Sequence, residues 1–274
     1  MSWVNVPSMP ESLVPALDGR LFEAVRLAIL AGFETLKYFQ TDAYRIERKR
    51  DNSPVTTADK VAEQLIRSKL ATSFPNDGIL GEEFGGQTGQ AEFEWIVDPI
   101  DGTKSFISGV PLYSTLIGVT QHGQSQVGVI FIPGLNEIIA ACRGYGAWWS
   151  RAGRPWSQAK VSRQSSLSDG LFVLSQVDNF DARGAAAGYR ALEKTAYITR
   201  SWGDGYGYLL VATGRAEVMV DPIVNPWDVA AVMPVVEEAG GRCTSWKGES
   251  TIHGGDCIGS NGLVHEEVLR CLQG

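Results

Sequence analysis

Apolar residues recur at helical spacing after Asp18. Leu21, Val25, Ala28, Ile29, Gly32 and Leu36 fall near one face, which predicts a helix from an Asp18 N-cap to about Phe39. Residues 1–17 lack that period and read as a leader. A second helical stripe, Ala62, Leu65, Ile66 and Leu70, follows a cap at Thr56 or Thr57 and runs toward Pro75. Between them lie a short basic piece, 44–50, of extended character and a turn at Asn52-Ser53-Pro54. Short apolar runs then predict strands at 79–80, 95–97, 114–120, 126–132 and 137–141, with turns at Gly123 and Pro133-Gly134. This part reads as antiparallel sheet, and residues 151–163 form a polar connector. Beyond it the pattern alternates. Strands are expected at 171–174, 196–198 and 217–220, and helices at 182–192, 206–213 and 229–239, the last stopped by Gly240-Gly241. The chain therefore divides into an α+β half, 1–155, and an α/β half, 156–274.

Composition adds exclusions. With 274 residues, 44% hydrophobic and 20% charged, the chain is of the globular class. It carries 24 Lys+Arg against 31 Asp+Glu, a net charge of −7, which argues against binding nucleic acid by neutralising phosphates. No apolar run approaches the roughly 18 residues of a membrane span, so no membrane partner is expected. Pro7, Pro10 and Pro15 interrupt any signal-like apolar stretch. Cys142, Cys243, Cys257 and Cys271 are widely spaced and form no CxxC pair, which suits a reduced, cytoplasmic protein.

The question is where the carboxylates sit. In Trp95-Ile96-Val97-Asp98-Pro99-Ile100-Asp101-Gly102-Thr103-Lys104 an apolar strand delivers two aspartates at its end. Pro99 donates no N–H, and Gly102 permits a tight turn. Amides at a helix start there would face an anion while the carboxylates face cations, a pairing suited to a metal-assisted phosphate site. The plainer alternative is a turn capped by two aspartates. Gly81-Glu82-Glu83 also follows a buried strand and reads either as a metal-facing pair or as a solvated loop. Asp228, in Asn225-Pro226-Trp227-Asp228, opens an apolar helix, as an N-cap or first-turn acid or as a ligand. Asp59 stands at another helix start, as a dipole acid or as a base orienting water.

Glu82, Asp98, Asp101 and Asp228 make an all-oxygen ligand set, and His122, His253 and His265 stand apart from it. That points to Mg²⁺ or Mn²⁺ rather than zinc. No GxxxxGK[ST] or GxSxG occurs, and Pro99 stands where a DxDGT phosphatase places its nucleophile. Direct attack by metal-activated water remains.

These motifs, in order from Asp59 through Trp227-Asp228 to Gly241, resemble those of the inositol monophosphatase superfamily. Ser53-Pro54-Val55-Thr56, Asp101 to Phe106 and Ser201 to Tyr208 are similar to the histidinol-phosphate phosphatases of that fold. The resemblance implies a layered αβαβα sandwich, an α/β (α+β) fold, and a homodimer. It implies that Glu82, Asp98 and the Ile100 carbonyl hold one Mg²⁺, that Asp98, Asp101 and Asp228 hold a second, and that a third, weaker ion sits near Glu82. Thr103 and Asp59 would orient the attacking water, and the Gly102 and Thr103 amides would hold phosphate. Gly203, Asp204 and Asp221 match positions facing the alcohol of a small phosphorylated substrate. Two acids there suit the cationic amine and imidazole of L-histidinol phosphate, although Asp221 also reads as a strand-end turn acid. Lys49 is a candidate phosphate-side cation, or part of a solvated basic face. The resemblance leaves inositol-1-phosphate and sugar or nucleotide bisphosphates as alternative substrates, and a regulatory binding role as an alternative of another class.

Overall fold

Two amphipathic helices, Arg20–Thr35 and Thr57–Ser73, cover one face of an eight-stranded sheet. The computed structural model describes residues 8–13, 16–48 and 54–273. In spatial order the sheet runs Ser157–Gln158, Gly146–Arg151, Glu137–Cys142, Gln124–Ile132, Ser114–Gln121, Phe93–Asp101, Gly78–Gly81 and Gly85–Gln87. All neighbours are antiparallel except Gly78–Gly81 and Phe93–Asp101, which run parallel. Successive residues of its central strands point to opposite faces. Trp95, Val97, Ile117, Val119 and Val129 pack beneath the two helices, while Ile96, Leu116 and Ile130 face the other way.

On that second face lie the helices Asp204–Ala212 and Val232–Glu238. They are shared with a five-stranded mixed sheet ordered Ile198–Arg200, Leu171–Val173, Val218–Asp221, Cys257–Ser260 and Arg242–Thr244. The helices Ala186–Thr195 and His265–Gln273 cover the far side of this sheet around Phe172, Phe180, Leu192 and Val268. The layers are therefore αβαβα, as the resemblance implied.

Several boundaries differ from the sequence reading. Asp18 does not cap the first helix. It is itself left-handed, and Gly19 holds the cap position without a side-chain bond. The expected helix at 229–239 is two, Pro226–Val229 and Val232–Glu238, because Pro234 has no N–H to continue the ladder. The expected helix at 182–192 is likewise two, Asp178–Ala182 and Ala186–Thr195, parted by Gly184 at φ 76°. Strands Gly146–Arg151 and Cys257–Ser260 and the helix His265–Gln273 had no counterpart in the hydrophobic reading.

Candidate active site

The parallel pairing of Gly78–Gly81 with Phe93–Asp101 brings Glu82 and Asp98 to the same sheet end. The Glu82 amide donates to the Val97 carbonyl at 3.2 Å. The strand reaches Asp101 rather than stopping at Asp98, but its register with Ser114–Gln121 shifts between those two residues. Pro99 supplies no N–H at the shift, so both carboxylates emerge where the ladder is interrupted. The Ile100 amide donates to Asp98 Oδ1 at 3.0 Å, and Ser114 Oγ donates to Asp101 Oδ2 at 2.6 Å.

Asp228 arrives from the other sheet's side of the molecule. It is the third residue of a helix capped by Asn225, and its Oδ2 accepts the Asn225 amide at 2.7 Å. It nevertheless faces the aspartates: carboxylate oxygens of Asp98, Asp101 and Asp228 all lie within 4.8 Å of one another. Capping and clustering are thus compatible. Burial, followed by the charges of Glu82, Asp101 and Asp228, pushes the Asp98 carboxyl well above the usual carboxylate range. Burial and the charges of Asp204 and Asp228 do the same to Asp101, against the Ser114 and Gly205 hydrogen bonds. Asp228 is raised to about 7, again by burial first, with the Asn225 amide opposing.

Buried carboxylates that repel one another this strongly suit a divalent cation, and their oxygen donors suit a hard one. The histidines lie elsewhere. His122 pairs with exposed Glu92, His253 is exposed, and buried His265 hydrogen-bonds Thr244 and Ser260. Among the described residues the Asp98–Asp101–Asp228 group is the acidic cluster able to hold a metal.

Asp59 lies beneath this cluster in a capping box. Its Oδ2 accepts the Thr56 amide at 2.8 Å and the Thr56 hydroxyl at 2.5 Å, while its Oδ1 is 3.5 Å from Thr103 Oγ1. Burial lifts its carboxyl to about 6, against the Thr56 hydrogen bonds. The Thr103 hydroxyl donates to the Ile100 carbonyl at 3.1 Å. Gly102, left-handed at φ 85°, turns the chain into the short helix Thr103–Ile107. A cleft of about 340 Å³ opens over this arrangement, walled by Glu82, Asp98, Asp101, Thr103, Asp204 and Trp202 among others.

Gly203 and Asp204 reach that cleft. Asp221 does not line it. It is 6% exposed beside a smaller adjoining cavity of about 110 Å³. Both its oxygens are engaged, by Ser175 Oγ at 2.7 Å and the Tyr208 hydroxyl at 3.1 Å. Burial, with the nearby Asp204 charge, raises its carboxyl to about 7 against those two hydrogen bonds. Lys49 lies outside the described residues. Sequence reasoning missed Glu63, Ser114 and Ser175. Glu63 had a faint signal: it stands four residues after Asp59 and four before Arg67, on one helix face.

Comparison with known proteins agrees with this geometry. Residues 17–273 match the inositol monophosphatase family. The chain is 41% identical over 254 residues to the histidinol-phosphatase of Chlorobaculum parvum, covering 91% of this chain and 95% of that one. It is 40% identical over 252 residues to the histidinol-phosphatase of Mycobacterium tuberculosis, covering 92% and 97%. Among solved structures, the inositol monophosphatase of Anabaena superposes with a TM-score of 0.80 at 30% identity, over 94% of this chain and 96% of that one. Fold, acidic cluster and sequence thus agree: the chain belongs to the inositol monophosphatase family and is a phosphoric monoester hydrolase.

Proposed function

We propose that the protein hydrolyses L-histidinol phosphate to L-histidinol and phosphate, with Mg²⁺ as its metal. The observation that carries this is the identity of 40–41%, over nearly the whole chain, to two proteins named histidinol-phosphatase. The acidic wall supplied by Asp204 supports it, since the alcohol of that ester carries cationic groups.

In this reading Glu82, Asp98, Asp101, Asp228 and the Ile100 carbonyl hold two or three ions, and Mn²⁺ is a permitted substitute. When bound, such ions lower the pKa of water and neutralise phosphoryl oxygens. Thr103 and Asp59 orient the attacking water, the hydroxyl as its nearest partner and the carboxylate as acceptor of the proton. Burial raises the Asp59 carboxyl above an exposed aspartate, which makes it the stronger base for that role. The amides of Gly102 and Thr103 hold the phosphate, and Gly203 and Asp204 face the alcohol. Asp221 supports them from behind, and Lys49 is a further phosphate-side cation. The active form is a homodimer in the cytoplasm, and among the described residues no helix is long and apolar enough to cross a membrane.

Phosphate release from L-histidinol phosphate, inositol-1-phosphate and fructose-1,6-bisphosphate is the direct test. A clear preference for the first is expected. A preference for inositol-1-phosphate, the reading that the Anabaena likeness favours, would replace it.

A further inference from the structure

We infer that Ser175 is a positioning residue: its hydroxyl holds the 203–205 turn, and with it the Asp204 carboxylate that the proposed function sets against a cationic alcohol, in place at the cleft. This rests on the substrate reading above and identifies what sets it.

Asp204 is left-handed at φ 54°, a conformation that costs a side-chain-bearing residue energy and persists where neighbours enforce it. Two amide hydrogen bonds enforce it here. The Asp204 N–H donates to Ser175 Oγ at 2.9 Å, and the adjoining Gly205 N–H donates to Asp101 Oδ2. The Ser175 hydroxyl can receive the first bond because its own hydrogen is directed at Asp221 Oδ1, 2.7 Å away. Tyr208 donates to the other Asp221 oxygen, so the buried carboxylate is clamped from both sides. The approach is also fixed sterically. A Cβ on Gly203 would lie 2.3 Å from the Ser175 N and Cα, so the 203–205 turn rests directly on residue 175.

The result is a carboxylate aimed at the reaction end of the cleft. Asp204 Oδ2 lies 2.7 Å from where a Cβ of Gly102 would stand. The cation whose charge acts on it is Lys104, whose Nζ is itself bonded to Gln176 Oε1. Without the Ser175 hydroxyl, the Asp204 amide loses its acceptor and the turn is free to leave the left-handed region. The carboxylate then no longer meets a cationic alcohol, while Asp101, which keeps the Ser114 hydroxyl as donor, feels the change only through the Gly205 amide, so the phosphate end is altered less.

The test compares Ser175→Ala and Ser175→Thr with the wild type, at saturating Mg²⁺, on L-histidinol phosphate and on 2-glycerophosphate, whose alcohol is uncharged. Ser175→Ala is expected to lower kcat/KM for histidinol phosphate about tenfold or more, mainly through KM, and to change the glycerophosphate value less than about threefold. Ser175→Thr, which keeps the hydroxyl, should restore most of the difference. Equal losses on both esters, or no loss on histidinol phosphate, overturn the inference. If Ser175→Ala fails to fold by its thermal midpoint, Ser175→Cys, which keeps the bulk and offers the Asp204 amide only a weak acceptor, should give the same selective loss, and an unselective loss there overturns it equally. Failure of the substrate reading shows separately, in a wild type without preference for the cationic ester.

Discussion

The carboxylate of Glu63 fills the space in which a side chain on Gly81 would begin. A Cβ at residue 81 would stand 2.0 Å from Glu63 Oε1 and 2.4 Å from its carboxyl carbon. Glu63 is fully buried, accepts the Arg67 guanidinium at 2.8 Å, and accepts the amides of Glu83 at 2.8 Å and Phe84 at 3.3 Å. It therefore fixes the turn on which Glu82 is carried. Gly81→Ala should destabilise the protein by about 1–3 kcal/mol, the range for overpacking, as read from urea unfolding. It should also raise the Mg²⁺ concentration needed for half-maximal activity. An unchanged metal requirement would separate Glu63 from the site.

Asp98→Asn should abolish turnover and leave the fold intact. The amide removes one charge from a buried cluster that resists holding them all, so the metal-free variant should melt no lower than metal-free wild type. Its thermal midpoint should respond far less to added Mg²⁺. Wild-type rates for this variant at saturating Mg²⁺ would contradict the ligand assignment.

Metal-free stability should fall as pH rises through neutrality. Asp228 and Asp221, at about 7, and Asp59, at about 6, keep protons in the folded state that the unfolded chain, near 3.8, has already released. The unfolded state then binds fewer protons, so stability declines with rising pH across that window. The same protons compete with cations, so the rise in melting temperature on adding Mg²⁺ should be larger at pH 8 than at pH 6. Calorimetry with and without chelator reads both effects, and Asp228→Asn should shrink them.

His265 predicts the opposite sign in a lower range. Its ring, buried between Thr244 and Ser260 at 2.9 and 2.8 Å, is held neutral, with its pKa brought by burial from 6.5 to about 4. The unfolded chain binds the extra proton between those values. This contribution is therefore complete above pH 6.5 and is lost as pH falls toward 4. It amounts to about 3 kcal/mol at most. His265→Gln should flatten the pH dependence of unfolding in that window, whatever its effect at pH 7.

The acidic half of the site was legible because its residues stand at the ends of apolar runs. Asp98 and Asp101 follow Trp95-Ile96-Val97, Glu82 follows Ile79-Leu80, and Asp228 precedes a helix. Polar residues abutting buried strands are visible in one dimension. Glu63 was not, since a glutamate flanked by helix formers looks like a solvated face until Gly81 is seen against it. Ser175 escaped for a related reason, as its meaning lies in which oxygen faces which donor; Asp221 was named, but as a substrate-facing acid rather than as the acceptor that Ser175 and Tyr208 clamp. Gly146–Arg151 was legible in retrospect. Trp148 and Trp149 pack on opposite sheet faces, which is strand alternation carried by two bulky neighbours. The split of the helix between Val229 and Val232 followed from Pro234, a residue in plain view.

Asp98 and Asp228 come from positions about 130 residues apart and meet across the seam between the two sheets. A cation held by both closes a loop of that length and acts as a cross-link that forms only in the assembled molecule. Cation affinity is then a gauge of global integrity as well as of the local site. A substitution anywhere that loosens the docking of the two sheets weakens metal binding, without touching a single ligand.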